Sequence, residues 1–327
     1  MAAVLLGGSA LVGQALSDLQ PSHTIELVAP DRPDKPPVIT SIALGAGGES
    51  LLLGGDDHIA RVWDPRKRQY VRALMGHRDW VRAVASTGDG QYLATGAGDG
   101  EVRLWRTGKD RPLAVLADAP HAIFALAFSP DGRLLAAGGF EAKLRLYEVP
   151  SGRRVALLDA PGPDVRALAF SPEGTWLAAA GRGGKVRLFD VARRQADRDL
   201  VGHRLPVAAL AWSPDDKRLA SGGEDRSILV WDTASGQAAL SLPVASARIA
   251  SLVFCGSLRL AAGGSDDILR IWELPAGREV RRLAGHTGTV AALAWDDATE
   301  TLYSAGYDTT VRLWSLNPPA GPVAARP

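Results

Sequence analysis

The sequence predicts an all-β chain assembled from seven copies of one four-strand unit. Three observations carry this reading. A closing aromatic returns at Trp63, Trp105, Tyr147, Phe189, Trp231, Trp272 and Trp314, at intervals of 42, 42, 42, 42, 41 and 42 residues. An apolar residue opening the unit keeps the same step, at Ile39, Val81, Ile123, Val165, Val207, Ile249 and Val290. Between the two, short apolar runs alternate with turn residues, the pattern of strands rather than helices. A fixed period of this length is the mark of an array whose copies bury their faces against one another.

The copy from Val201 to Asp232 shows each element. Val207, Leu210 and Trp212 are spaced by three and then two, so the first strand holds an extra residue and a β-bulge near its start. Ser213-Pro214-Asp215-Asp216 is a turn, because proline fixes φ and aspartate tolerates the corner. Leu219-Ala220-Ser221 starts the second strand, and Gly222-Gly223-Glu224-Asp225 turns the chain again. Ile228-Leu229-Val230-Trp231 is β-branched and aromatic, as a buried third strand should be. A fourth strand follows the aromatic, as at residues 70–74 and 278–283. The single short interval comes from Cys255-Gly256-Ser257, a turn one residue shorter than Ser129-Pro130-Asp131-Gly132.

Seven copies at this period, with Gly-His before the first strand (Gly76-His77, Gly202-His203, Gly285-His286) and Trp-Asp at the end of the third (Trp63-Asp64, Trp231-Asp232), resemble WD40 repeats over about residues 39–316. The resemblance implies a seven-bladed β-propeller of four-stranded antiparallel blades. After Trp314 only Ser315, Leu316 and a tail with Pro318, Pro319 and Pro322 remain, so the last blade lacks an outer strand. Residues 24–28 alternate and are expected to supply it, closing the ring with an N-terminal strand as the family does. The expected organisation is an N-terminal extension at 1–22, a propeller at 23–316 and a proline-rich tail at 317–327. Residues 31–37 are a proline-rich connector that cannot enter a ladder.

Of the 327 residues, 46% are hydrophobic, enough for a large core, and the net charge of +1 provides no global field for nucleic acid or an anionic membrane. One cysteine, Cys255, excludes an intramolecular disulfide and a cysteine-based metal site, and its place at a turn suggests an ordinary thiol. His23, His58 and His121 are isolated, and Asp56-Asp57-His58 reads as a solvated turn, so neither a metal nor a cofactor is expected. No apolar run reaches the ~20 residues that span a bilayer. Residues 2–6 and 10–12 are apolar and Gly13-Gln14-Ala15 resembles a secretory cleavage site, but a charged n-region is missing. A cytoplasmic location is expected, with export through this segment as the alternative. Residues 4–13 also look like the strand-glycine-helix opening of a dinucleotide fold, which needs a parallel sheet that the repeats leave no chain to build.

Three positions covary within the chain. Where His stands four residues before the opening apolar residue, a hydroxyl stands four residues before the turn aspartate. The sets are His77, Thr95, Asp99 and Trp105; His203, Ser221, Asp225 and Trp231; His286, Ser304, Asp308 and Trp314. Where the His position holds Lys35, Ala119, Pro161 or Ala245, the hydroxyl position holds Leu53, Ala137, Ala179 or Ala262. All-or-none retention is what a linked buried hydrogen-bond chain requires, because a half-satisfied one is costly. The resemblance implies that the chain runs from the Trp N–H through the hydroxyl and imidazole to the carboxylate. A Ser-His-Asp hydrolase is the competing reading. It is disfavoured because the set occurs three times, one hydroxyl is Thr95, and no glycine elbow or oxyanion donor accompanies it.

Arg61, Arg103, Arg145, Arg187, Arg270 and Arg312 each stand two residues before a closing aromatic, spread around the ring, and are expected to be structural. By the resemblance, the residue after the opening apolar one and the residue before the turn acid point onto one face of the disc. The first set is Thr40, Arg82, Phe124, Arg166, Ala208, Ala250 and Ala291; the second is Asp56, Gly98, Phe140, Arg182, Glu224, Ser265 and Tyr307. The expected partner-binding face is therefore Trp80, Arg82, Phe124, Phe140, Arg166, Arg182 and Tyr307. This points to a non-catalytic interaction scaffold for a protein or peptide carrying acidic and apolar residues. Nucleic-acid binding through Arg82, Arg166, Arg182 and Lys185 is the alternative, and an enzyme would need convergent acids, bases or metal ligands that this face does not offer.

Overall fold

The computed structural model describes residues 17–26 and 35–316. These form seven antiparallel blades, each with the earliest-running repeat strand innermost. The first blade comprises Ile39–Leu44, Leu51–Gly55, Ala60–Asp64 and Gln69–Leu74 in that spatial order. Innermost strands of successive blades touch around the ring, and that of the seventh blade, Val290–Asp296, touches that of the first. The fold is a closed seven-bladed β-propeller.

Closure uses the chain's N-terminal part. His23–Glu26 pairs antiparallel with Thr310–Ser315 as the outer strand of the seventh blade, with Ile25 opposite Val311 and buried. The strand begins one residue earlier than the sequence suggests, and residues 27 and 28 lie outside the described residues. A further strand was not foreseen. Ser17–Leu19 runs parallel along Arg278–Leu283 and makes the sixth blade five-stranded. The N-terminal chain thus joins the propeller before the boundary expected at residue 23. The signal-like Gly13-Gln14-Ala15, the glycine-rich stretch at 4–13 and the tail from 317 lie outside the described residues.

The expected bulge is present and general. The register slips after Ile39, Val81, Ile123, Val207, Ile249 and Val290, so Thr40, Arg82, Phe124, Ala208, Ala250 and Ala291 are the extra residues. In the fourth blade the paired strand starts only at Ala167, with the Arg166 N–H donating to the Ala180 carbonyl. A second constraint fixes the blade spacing. A Cβ on Gly96, Gly138, Gly222 or Gly263 would sit 2.4–2.6 Å from the opening Ile123, Val165, Ile249 or Val290 of the next blade. Glycine there lets that residue plug the gap between sheets.

The core fills these gaps. One cluster joins Leu144, Leu146 and Leu158 of the third blade to Val165, Leu177 and Phe189 of the fourth. A side chain as buried as Phe189, at 1% exposure, contributes ~1.5–3 kcal/mol. Cys255 differs from its expected setting: it ends the strand Ile249–Cys255, is buried, and burial pushes its thiol pKa up to about 12. It is inert at neutral pH rather than merely ordinary.

Candidate functional site

Each tetrad position lies in hydrogen-bond contact with its set. In the fifth blade Trp231 Nε1–H donates to Ser221 Oγ at 2.8 Å, Ser221 Oγ lies 2.8 Å from His203 Nε2, and His203 Nδ1 lies 3.0 Å from Asp225. The second blade repeats this with Trp105 to Thr95 at 3.1 Å, Thr95 to His77 at 2.8 Å and His77 to Asp99 at 3.1 Å. In the seventh, the distances from Trp314 to Ser304, Ser304 to His286 and His286 to Asp308 are 2.8, 2.7 and 2.8 Å. The partners dictate the tautomer: Nδ1–H donates to the carboxylate and Nε2 accepts the hydroxyl proton.

These sets are structural rather than catalytic. Thr95, Ser221 and Ser304 are fully buried, and each hydroxyl is already occupied by the imidazole and the indole. Burial lowers the His77 pKa, an effect that neighbouring Asp99 only partly offsets. Burial also acts to raise the carboxylate pKa of Asp308, yet bonds from His286, Thr287 and Thr310 hold it well below the usual range. Ligand atoms of His77, Asp99 and Glu101 lie within 4.8 Å of one another, but both His77 ring nitrogens are committed, to Asp99 and Thr95.

Blades without the histidine satisfy the turn acid differently. Arg61 pairs with Asp57, Arg145 with Glu141 and Arg270 with Asp266, and these three guanidinium side chains are buried. In the second blade, where His77 holds Asp99, Arg103 turns instead to Glu101 at 2.7 Å. In the fourth, where the turn acid is Gly183, Arg187 takes Asp199 at 2.6 Å. In these blades guanidinium thus takes the place of imidazole at the turn carboxylate, whereas Asp308 of the seventh blade has both, with His286 at 2.8 Å and Arg312 at 3.7 Å. The i, i+4 acid-arginine spacing carried this signal in the sequence. Two departures accompany the loss of the tetrad: Tyr147 donates to Asp118, and Trp63 Nε1, in the blade where Leu53 replaces the hydroxyl, is buried with no partner among the described residues.

Most residues of the expected face gather around the mouth of the central channel. A cavity of about 450 Å³ is lined by the residue that follows the opening apolar position in all seven blades and, at its rim, by Trp80, Phe140 and Tyr307. Trp80, Phe140 and Tyr307 are 42%, 47% and 55% exposed. Local backbone bonds hold the rim: Phe140 N–H donates to the Ala122 carbonyl at 3.0 Å and Tyr307 N–H to Thr289 at 3.0 Å. Phe124 and Phe140 meet edge to face with centroids 4.6 Å apart. The Arg82 guanidinium lies 5.0 Å from the Trp80 ring centre and 4.9 Å from that of Phe124. Its Nε is buried without a hydrogen-bond partner, and among the described residues it has no carboxylate.

The other two arginines of the expected face differ from expectation. Buried Asp164 accepts from Arg166 Nε at 3.2 Å and lies 3.3 Å from Arg182 Nε, and Arg166 reaches across to Glu224 at 2.6 Å. Arg182 does not line the mouth; its backbone N–H donates to Asp164 at 2.5 Å. Arg166 and Arg182 are therefore neutralised in a clamp between the fourth and fifth blades. Sequence reasoning missed Asp164 because Arg182, in the turn after the strand Trp176–Ala180, comes to it only through the folded blade. A second cavity of about 250 Å³ lies between the inner strands, lined by residues such as Ser41, Val84, Leu126 and Leu210.

Seven four-stranded repeat blades around a central channel, three of them carrying a buried Trp-hydroxyl-His-Asp chain, define a repeat-built propeller. A family model described as "WD40: WD domain, G-beta repeat" matches residues 68–106, 111–148, 152–190, 195–232 and 277–315, and the chain belongs to this family. No curated protein matches the chain. The copies closing at Trp63 and Trp272 lie outside the matched ranges, yet build blades of the same strand order. Propellers of this family generally act as protein-interaction scaffolds and are typically non-catalytic. No helix among the described residues is long and apolar enough to cross a membrane.

Proposed function

We propose that this propeller is a non-catalytic scaffold that binds a peptide or protein loop in the channel mouth. The partner presents an apolar or aromatic residue beside a single Asp or Glu. The observation that carries this reading is Arg82, stacked between Trp80 and Phe124 with its Nε buried and unpartnered, beside the Phe124–Phe140 pair. A carboxylate would complete Arg82, and an apolar side chain would cover exposed Phe140 and half-buried Phe124. One acid suffices, because Arg166 and Arg182 already have Asp164 and Glu224.

Selection of a random-peptide display library on the folded protein tests this. The expected outcome is enrichment of sequences with an aromatic or large apolar residue next to Asp or Glu. Enrichment of basic sequences, or enrichment unchanged on the variant Phe124→Ala/Phe140→Ala, would place binding elsewhere.

A further inference from the structure

Arginine side chains also gather between the fifth and sixth blades. A cleft of about 640 Å³ there is lined by Arg204, Arg226 and Arg248 together with Glu224, Asp225 and Ser265. Both carboxylates are already committed. Glu224 accepts from Arg166 at 2.6 Å, and Asp225 accepts from the His203 ring at 3.0 Å, the Ser227 hydroxyl at 2.8 Å and the Arg204 backbone N–H at 3.0 Å. The guanidiniums of Arg204 and Arg248 have no acceptor among the described residues. That of Arg226 has one, the Ala245 carbonyl at 3.2 Å. Arg226 also holds φ at 62°, the left-handed conformation that the second and fourth blades assign to Gly100 and Gly184.

Three guanidiniums facing one cleft repel one another, and among the described residues those of Arg204 and Arg248 serve no contact that folds the blade. We infer that this cleft is a binding site for a phosphate dianion, the group carried by a phosphorylated serine or threonine side chain. Guanidinium forks match phosphate oxygens two at a time, and three of them balance a charge near two better than that of one carboxylate. Ser265 Oγ accepts the Arg248 backbone N–H at 3.1 Å, which leaves its own proton to donate to an oxygen of the ligand. A nucleic-acid backbone is disfavoured, because Asp266 and Asp267 follow directly in the sixth blade and break any basic track.

Isothermal titration at constant ionic strength tests the site with three probes: N-acetyl-Ala-phosphoserine-Ala-amide, the same tripeptide with glutamate, and inorganic phosphate. The expected result is saturable binding of the phosphopeptide, weakened about tenfold or more by Arg204→Ala/Arg248→Ala. Both side chains are exposed and without a hydrogen-bond partner, so this variant should melt like the wild type. Arg106→Ala/Arg111→Ala, which removes the same charge from the second blade, should bind normally. Weaker binding of inorganic phosphate than of the phosphopeptide identifies a phosphorylated segment as the source, and equal binding identifies the free ion. No saturable binding of the phosphopeptide, equal binding of the glutamate tripeptide, or equal losses in the two double variants would overturn the inference. None of these outcomes depends on the channel mouth, so the two sites fail or stand separately.

Discussion

Removing one oxygen, Ser221 Oγ, should cost more than a serine-to-alanine change at an ordinary buried site. The atom accepts from Trp231 Nε1 and is shared with His203 Nε2, each at 2.8 Å, and Ser221 is fully buried. Ser221→Ala therefore strands an indole donor and an imidazole acceptor that water cannot reach. His203 cannot turn to another partner, because its Nδ1 is fixed on Asp225. A stranded buried group costs about 1–3 kcal/mol, and two coupled ones are not fully additive, so a loss of about 2–4 kcal/mol is expected. Ala179→Ser provides the converse. It places a hydroxyl in the fourth blade, where Pro161 and Phe189 stand in for the histidine and tryptophan, and should stabilise nothing. The assay is urea unfolding, with midpoints converted to free energy only where the slope is unchanged. A Ser221→Ala loss within about 0.5 kcal/mol of zero, the range of ordinary surface changes, or a gain from Ala179→Ser, would refute the network reasoning.

Two further outcomes follow from closure and protonation. Deleting residues 1–26 removes both the outer strand of the seventh blade and the parallel strand on the sixth, so thermal melting should fall and light scattering rise. Deleting residues 1–20 removes only the latter and should produce the smaller shift; equal shifts would mean His23–Glu26 is not the clasp. On acidification, stability should decline in two stages. The folded His77 pKa lies below its ordinary 6.5, so its contribution is complete above that value and is lost as pH falls through it toward the folded pKa. Asp99, Asp225 and Asp308 are held below 3.8, so their contributions persist above that value and are lost only at lower pH. A urea midpoint higher at about pH 5 than at about pH 7 would contradict this sign.

Much of the architecture was legible because repetition multiplies weak signals. A spacing of three then two around Val207, Leu210 and Trp212 is ambiguous in one copy, but it marked the bulge that aims Arg82 and Phe124 into the mouth. The missing strand after Trp314 told where an N-terminal strand had to go. Ser17–Leu19 was not legible, since three residues paired through the backbone leave no side-chain period to read. Charge pairing was the other blind spot. Asp164 sits in the column before the opening apolar residue, which elsewhere holds Val38, Trp80 and Pro206, so nothing in the repeat marks it as the acceptor for Arg166 and Arg182. Arg204, Arg226 and Arg248 occupy three different repeat columns, and only the blade geometry brings them to one cleft.

The most direct measurement is the affinity of a display-selected peptide for wild type, Arg82→Ala, Phe124→Ala/Phe140→Ala and Ala250→Glu. A hot-spot aromatic is worth about 2 kcal/mol or more, so the double phenylalanine variant should bind at least about 30-fold more weakly. Arg82→Ala should also weaken binding and reduce its salt dependence, since it supplies the one unpaired cation of the mouth. Ala250→Glu, in the alanine sector of the mouth, should leave affinity within a few-fold of wild type. A peptide held as tightly by the double phenylalanine variant as by wild type would contradict the assignment of the mouth as the binding site.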